Sequence, residues 1–114
     1  MSDDVFCKII RGELPRNELY SDERVVVIHD IHPQAPVHLV VFPLTHVETI
    51  GDVPQSETEL LGHMVRVGHI AAEKAGLTNG YRMVINDGVD SEKSVPHLHL
   101  QVLGGKPLGS KLVA

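Results

Sequence analysis

Two histidines and a glutamine alternate with apolar residues along residues 97–103, and they are the side chains of this chain best suited to chemistry. Alternation with a period of two is typical of a half-buried β-strand, so His97, His99 and Gln101 are expected to share one face. Two imidazoles about 7 Å apart along a strand suit metal ligation, or phosphate binding with nucleophilic attack by one ring. The alternative is a solvated strand face that happens to carry histidines.

The surroundings of this segment favour the chemical interpretation. Pro96 precedes it, two glycines follow it, and two further histidines, His38 and His46, lie near another apolar run. The sequence therefore predicts a site built from histidines of separate segments.

Composition limits the function classes. A chain of 114 residues with 42% hydrophobic and 22% charged residues is typical of one globular domain. A net charge of −5 argues against a surface that coats nucleic acid, although a pocket for one nucleotide remains open. The single cysteine, Cys7, excludes an internal disulfide and fits a reducing compartment. With no signal peptide and no apolar run of about 18 residues, the sequence predicts a cytoplasmic protein without a membrane partner.

The order of elements predicts an α+β fold: a mostly antiparallel sheet of about five strands with a short N-terminal helix and a long central helix. Asp3 and Asp4 are candidate caps of the short helix, which is expected at residues 5–11. The long helix is expected to begin at Gln55 or Ser56 and to stop at Gly76. Ser56 and Glu59 would form a capping box at its start. Strands are expected at residues 19–21, 24–29, 37–42, 81–86 and 97–103.

Longer stretches of the chain resemble the histidine-triad superfamily, and specifically its Hint branch of nucleoside phosphoramidate hydrolases. The stretches that carry the resemblance are residues 6–10, 13–15, 29–38, 60–63, 80–86 and 94–105. The resemblance implies a single histidine-triad domain over residues 1–114, and a purine nucleotide-binding hydrolase that cleaves the phosphorus–nitrogen bond of nucleoside 5′-phosphoramidates or related nucleotidyl conjugates.

The same resemblance assigns roles to the histidines. His99 would attack the α-phosphorus through Nε2 and form a covalent nucleotidyl-histidine, which requires a neutral ring whose other N–H is held by an acceptor. His97 would help to orient this array, and His38 would support it through a hydrogen bond. No cofactor is required, because donors aimed at the phosphoryl oxygens can carry the electrostatic work.

The remaining residues of the implied site would bind the nucleotide. Asp30 would accept both ribose hydroxyls, and Asn86 and Ser94 would donate to phosphate oxygens. The purine would lie between four apolar side chains: Phe6, Ile9, Ile28 and Ile31.

Three features depart from the family pattern. Gln101 replaces the third histidine, giving His-x-His-x-Gln, a form found in nucleotidyl-transferring relatives; an amide can donate to an oxygen but cannot deliver a proton as an imidazolium can. Glu92 and Lys93 replace a glycine-containing loop, and no tryptophan-bearing tail is present. A nucleotidyltransferase, a dinucleoside polyphosphate phosphorylase or hydrolase, and a weakly active nucleotide-binding regulatory protein are therefore the alternatives to the phosphoramidate hydrolase.

A structural zinc site is a further alternative. Many bacterial relatives carry Cys-x-x-Cys near the N-terminus, and the corresponding pair here is Asp4 and Cys7, with His46 and His97 as partners. This set is less thiolate-rich than structural zinc sites usually are, so the sequence predicts a protein that functions without metal.

The long helix and the fourth predicted strand suggest a symmetric homodimer. Residues 60–75 form a broad apolar face that includes Gly62 and Gly68, and glycines on a helix allow close backbone approach. Pairing of the strand at residues 81–86 with its own copy would remove an exposed sheet edge. The alternative for the glycines is close packing on the domain's own sheet.

Overall fold

A five-stranded antiparallel sheet carries one helix on each face. The computed structural model describes residues 4–110. Its helices are α1 (Val5–Ile10) and α2 (Glu59–Lys74), and its strands are β1 (Glu18–Ser21), β2 (Val25–His29), β3 (Val37–Pro43), β4 (Tyr81–Val84) and β5 (Leu100–Gly104). The strand order is β1-β2-β3-β5-β4, and every neighbouring pair is antiparallel. The α+β prediction, with its short first helix and long central helix, is confirmed.

The two sheet faces enclose two separate apolar clusters. Residues facing α2 form the larger one, which includes Val27, Leu39, Leu100 and Val102. Residues of α1 and of the sheet face that it covers form the smaller one, made of Phe6, Ile9, Val26, Ile28, Val40 and Phe42. Because β2 and β3 are covered on both faces, they read as continuous apolar runs rather than alternating ones.

Asp4 starts α1 and accounts for its position in the chain. Its Oδ1 accepts a hydrogen bond from the backbone N–H of Cys7 at 2.8 Å, which satisfies a donor that has no partner within the helix. The helix ends where Gly12 adopts φ +79°, a conformation that favours glycine. Asp3, the other predicted cap, lies outside the described residues.

The predicted start of the long helix is wrong. Gln55–Glu57 form a separate 3₁₀ turn after Pro54, and α2 begins only at Glu59. The N-cap residue of α2 is Thr58 rather than Ser56, so the predicted capping box of Ser56 and Glu59 does not form. The hydroxyl of Thr58 donates to the Gln55 carbonyl at 2.7 Å and makes no capping hydrogen bond. No helix within the described residues is long and apolar enough to cross a membrane.

The strands that carry the predicted site residues are shorter than expected. β4 ends at Val84 rather than at Asn86, and β5 begins at Leu100, so His97 and His99 precede the sheet pairing. The backbone N–H of Leu98 donates instead to the carbonyl of Val47 at 2.7 Å. The predicted alternation of faces nevertheless holds, because Leu98 lies in the α2-side cluster while the rings of His97 and His99 contact Phe6 on the other side.

Gly68 explains how α2 packs so close to the sheet. A Cβ atom at this position would lie 2.8 Å from Met83 Cε and 3.3 Å from Leu100 Cδ2. Packing on the domain's own sheet therefore accounts for this glycine. Gly62 has no such constraint, since nothing lies within 4 Å of its Cβ position.

Asp22 fastens the β1–β2 turn to the long helix. Its Oδ1 accepts from the backbone N–H groups of Arg24 at 2.8 Å and Val25 at 2.9 Å, and its Oδ2 lies 2.8 Å from Nε2 of His63 on α2. Burial acts to raise the pKa of Asp22, but these hydrogen bonds outweigh it and hold the pKa below its ordinary value.

Replacing Asp22 with Asn is expected to lower the free energy of unfolding at pH 7 by about 1 to 3 kcal/mol, because hydrogen bonds to a charged group are lost. A carboxyl whose pKa is depressed on folding stabilises the protein above its unfolded pKa of about 4, and this stabilisation is lost as the pH falls. Urea unfolding should thus show the gap between wild type and variant narrowing below pH 4. The exposed Asp90→Asn is the charge-matched control, and a pH-independent gap for Asp22→Asn would contradict the assignment.

Candidate active site

His99 is held with one nitrogen engaged and the other free. Its Nδ1 lies 2.7 Å from the backbone carbonyl of His97, and a carbonyl can only accept, so Nδ1 carries the proton and Nε2 carries a lone pair. The ring of Phe6 packs edge-on against it with a centroid distance of 5.1 Å. This geometry gives the predicted nucleophile the tautomer it needs.

The surroundings of His99 also keep the ring neutral. Burial lowers its pKa below the ordinary value, because the charged form loses hydration. The hydrogen bond to His97 acts in the opposite direction, as does the carboxylate of Asp30, while the positive charge of Lys93 lowers the pKa further. A neutral ring with a free Nε2 can act as a nucleophile near neutral pH.

His38 and Gln101 form a hydrogen-bonded pair beside His99. Nε2 of His38 lies 2.7 Å from Oε1 of Gln101, and Nδ1 of His38 accepts from the backbone N–H of Gln34 at 3.0 Å. The register of β3 and β5 pairs Val40 with Gln101, so His38 is the diagonal neighbour of Gln101 on the same face. Sequence patterns gave no sign of the Gln34 contact, because a backbone N–H has no sequence signature.

Asp30 lies at the end of β2 with acceptor capacity to spare. Its Oδ1 accepts from the backbone N–H of His32 at 2.7 Å, and its Oδ2 lies 3.6 Å from His38 Nε2, beyond hydrogen-bond range. Asp30 and His38 also border a surface cavity of about 350 Å³, but that cavity extends to Lys74 and Ala75 at the end of α2 and does not include His99. The predicted ribose-binding role of Asp30 therefore rests on its unused lone pairs, which can accept hydroxyl donors.

The apolar residues predicted to hold a base are only partly brought together. Phe6, Ile9 and Ile28 belong to one cluster, whereas Ile31 lies in the following loop with 80% of its surface exposed. Asn86 is half-buried just beyond β4, and Ser94 is exposed in the segment that leads to His97. The roles of Ile31, Asn86 and Ser94 stay predictions.

The side chain of His97 is turned away from His99 into a second cluster. It is fully buried, with Nε2 donating to the carbonyl of Pro43 at 2.9 Å and Nδ1 lying 3.2 Å from Oδ2 of Asp4. Its link to His99 is therefore the backbone carbonyl rather than the ring. The contact between the two residues thus joins the His99 ring to the His97 backbone, whereas the sequence suggested that the His97 side chain would help to orient the array.

Asp4, Cys7, His46 and His97 converge on one point. Their ligand atoms all lie within 4.8 Å of one another, and the sulfur of Cys7 is 3.4 Å from Nδ1 of His46 and 3.7 Å from Nδ1 of His97. Nδ1 of His46 is 3.0 Å from Oδ2 of Asp4. A tetrahedral Zn²⁺ with bonds of about 2.0 to 2.3 Å places its ligands about 3.3 to 3.8 Å apart. The two sulfur–nitrogen distances lie in this range, and the contacts of Asp4 with the two histidines, at 3.0 and 3.2 Å, are slightly shorter.

The electrostatics of this cluster call for a positive charge at its centre. Because the Pro43 carbonyl fixes the proton of His97 on Nε2, a neutral His97 turns a lone pair toward the carboxylate of Asp4. Burial acts to raise the pKa of Asp4, but the Cys7 backbone N–H and the nearby His97 hold it below its ordinary value. Burial and the charge of Asp4 raise the pKa of Cys7. Either a proton on an imidazole or a metal ion can supply the missing charge.

Comparison with known proteins identifies the family to which this fold belongs. Residues 3–111 match the family described as "Scavenger mRNA decapping enzyme C-term binding". An uncharacterized HIT-like protein of Chlamydia muridarum is 41% identical over 106 residues, covering 93% of this chain and 84% of that protein. The chain belongs to the histidine-triad (HIT) superfamily.

Two solved structures are similar along most of their length. A HIT family hydrolase from Clostridium thermocellum superimposes with a TM-score of 0.94 at 38% identity, covering 99% of each chain. A zinc-bound histidine triad family protein from Mycobacterium smegmatis has a TM-score of 0.79 at 37% identity, covering 95% of this chain and 78% of that one.

Proposed function

We propose that this protein is a purine nucleotidyl hydrolase that cleaves nucleoside 5′-phosphoramidates or related nucleotidyl conjugates through a covalent intermediate on His99. The observation that carries the proposal is the 2.7 Å hydrogen bond from His99 Nδ1 to the His97 carbonyl, which leaves Nε2 unprotonated. The name of the C. thermocellum relative, a HIT family hydrolase, supports hydrolysis as the reaction type.

The proposed reaction has two displacements at phosphorus. The Nε2 lone pair of His99 forms a bond to the α-phosphorus while the bond to the leaving group breaks, with its electron pair staying on the leaving group; a departing amine takes its proton from solvent. The resulting nucleotidyl-imidazolium is stabilised by the His97 carbonyl that accepts its Nδ1–H. Water then attacks the same phosphorus, the bond to Nε2 breaks with its electron pair returning to the ring, and the proton of water passes to solvent. Asp30 would hold the ribose hydroxyls through both steps.

Nucleotidyl transfer to another acceptor, including phosphorolysis of dinucleoside polyphosphates, is the second candidate reaction. The observation in its favour is Gln101, which occupies the place of a residue that could deliver a proton to a leaving amine. A protein that binds nucleotide but turns it over weakly would share the same geometry.

His99→Asn is expected to reduce kcat for adenosine 5′-phosphoramidate by about a thousandfold or more, because the covalent route is lost while the nucleotide contacts remain. Steady-state kinetics and calorimetric titration with AMP would measure the two properties separately. His63→Asn, on the opposite face of the sheet, is the matched control that should retain activity. An active His99→Asn enzyme would remove the covalent mechanism.

A homodimer through β4 and α2 remains part of the proposal. The strand order leaves β4 at an edge of the sheet, where its backbone can pair with a second copy. The helix α2 reaches β4 through the contact between His69 and Tyr81; on the same helix Val65 is 48% exposed, and nothing lies within 4 Å of a Cβ at Gly62, one turn earlier. A two-fold axis beside β4 would cover both features.

The wild-type protein is thus expected to sediment as a dimer at micromolar concentration, and Val65→Glu to sediment as a monomer, since a charge would be buried in the interface. Val89→Glu provides the control, because Val89 is 92% exposed in a turn outside α2 and β4. A monomeric wild type, measured by analytical ultracentrifugation, would contradict the dimer.

A second proposal concerns metal: the cluster of Asp4, Cys7, His46 and His97 binds one structural Zn²⁺. The converging lone pairs and their 3.0 to 3.7 Å spacings support it, as does the zinc-bound relative from M. smegmatis. These residues would tie α1 to the loop after β3 and to the segment before β5. The ion would bind Nδ1 of His97, whereas His99 contacts only the backbone carbonyl of His97, so the ion would not take part in the reaction at His99.

Elemental analysis of purified protein is expected to find about one zinc per chain, since residues 4–110 contain one cluster of four potential ligands. His46→Asn should lose most of the metal and lower the melting temperature, because metal binding is coupled to folding. His32→Asn, at an exposed loop position, should keep the metal. Zinc content that is equal in the His46 variant and the wild type would exclude this site.

A further inference from the structure

The orientation of the Gln101 amide is fixed by a chain of hydrogen bonds that begins at a backbone group. The N–H of Gln34 can only donate, so Nδ1 of His38, 3.0 Å away, must carry a lone pair. The proton of a neutral His38 is then on Nε2, and it is donated to Gln101 at 2.7 Å. The atom of Gln101 that accepts is therefore its oxygen, and its NH₂ group must occupy the other arm of the amide.

That NH₂ group is free to meet a substrate. Within residues 4–110, no protein atom accepts a hydrogen bond from Gln101 Nε2, and no buried side-chain nitrogen or oxygen lacks a partner, so this nitrogen is accessible. Gln101 follows His99 by two residues and extends from the same face. A donor at this place lies beside the nucleophile, where the phosphoryl oxygens and the leaving group must sit.

An oriented amide donor differs chemically from an acid. It can hydrogen-bond an oxygen that gains negative charge, but it cannot transfer a proton, because the amide does not ionise at any physiological pH. His38 does not replace it as an acid, since both of its nitrogens are already engaged. Lys93 is a cation whose charge influences His99, and its ammonium group donates to the carbonyl of Glu48.

We infer that His38 and Gln101 make this site selective for nucleotidyl conjugates whose leaving group departs as a stable anion, such as a phosphate, a carboxylate or an acidic phenolate. In this step the Nε2–phosphorus bond forms, the phosphorus–oxygen bond breaks with its electron pair on oxygen, and no proton is transferred. Conjugates with amine leaving groups depend on a proton from solvent and turn over more slowly. His38 is a positioning residue that acts through Gln101. The inference rests on the proposed nucleotidyl hydrolase function and narrows its substrate class.

A series of aryl esters of AMP, made from phenols of graded acidity, tests this selectivity. The wild-type kcat/KM is expected to fall steeply as the phenol becomes more basic. Gln101→His is expected to flatten the dependence by raising the rate for the most basic phenol by about tenfold or more, since an imidazolium can protonate the departing oxygen. Gln55→His, an exposed substitution of the same type, should leave the dependence unchanged.

The outcomes separate the inference from the function on which it rests. Cleavage of every ester with a flat dependence on phenol acidity in the wild type would overturn the inference but keep the hydrolase. Equal slopes for wild type and a folded Gln101→His protein would also overturn it. If Gln101→His does not fold, Gln101→Glu serves instead: it removes the NH₂ donor, so kcat/KM should fall for all esters, and an unchanged rate would refute the donor role. Absence of cleavage of all esters and of the phosphoramidate would reject the proposed function itself.

The positioning role of His38 requires its own test. His38→Leu should reduce kcat/KM about tenfold in the wild-type background and have little effect when Gln101 is already alanine, because the two residues act as one unit. His38→Gln, whose amide can donate from a similar reach, should restore much of the rate. Long-range ¹H–¹⁵N NMR should find the proton of His38 on Nε2. Equal losses in both backgrounds, or a proton on Nδ1, would contradict the assignment.

Discussion

The hydrogen bond from His99 to the backbone carbonyl of His97 is the contact on which the candidate active site depends. It selects one of two imidazole tautomers, and only that tautomer leaves Nε2 able to attack phosphorus. The bond is dependable because the acceptor is rigid: the ring of His97 is fully buried and held by Pro43 and Asp4. A fully buried ring thus holds the backbone group that sets the tautomer of His99.

The sheet separates two apolar clusters, and the small polar site lies on the face that carries the smaller cluster. The α2 side contains the larger cluster, and its burial stabilises the strands independently of the candidate site. The α1 side contains a smaller cluster in which Phe6 stacks on Phe42 at 4.4 Å and borders both His97 and His99. The N-cap of α1, Asp4, also reaches the His97 ring, so helix geometry and active-site geometry are linked through one carboxylate.

Side-chain periodicity allowed the sheet, both helices and the sharing of a face by His97 and His99 to be predicted, because burial imposes a period of two on a strand. It did not reveal where β5 starts, since sheet pairing also depends on a partner strand. Nor did it reveal which way the His97 ring points or which atom holds His38. Those contacts join residues far apart in sequence and include the backbone groups of Gln34 and Pro43, which leave no pattern in side-chain types. The helix α2 starts later than predicted because residues 55–57 form a 3₁₀ turn, to which the Thr58 hydroxyl is hydrogen-bonded. Helix propensity does not fix a helix boundary to within a few residues.

The most direct measurement is the mass of the protein during turnover. A reaction with an AMP ester of an acidic phenol, quenched in alkaline denaturant to preserve phosphorus–nitrogen bonds, should contain a fraction of chains carrying one added adenylate. Peptide fragmentation should locate that group on His99, since its Nδ1 is held by the His97 carbonyl and leaves Nε2 free to attack. An adenylate on another residue would contradict the account. So would rapid product formation with no adduct at any time point of a quench series that begins within the first turnover.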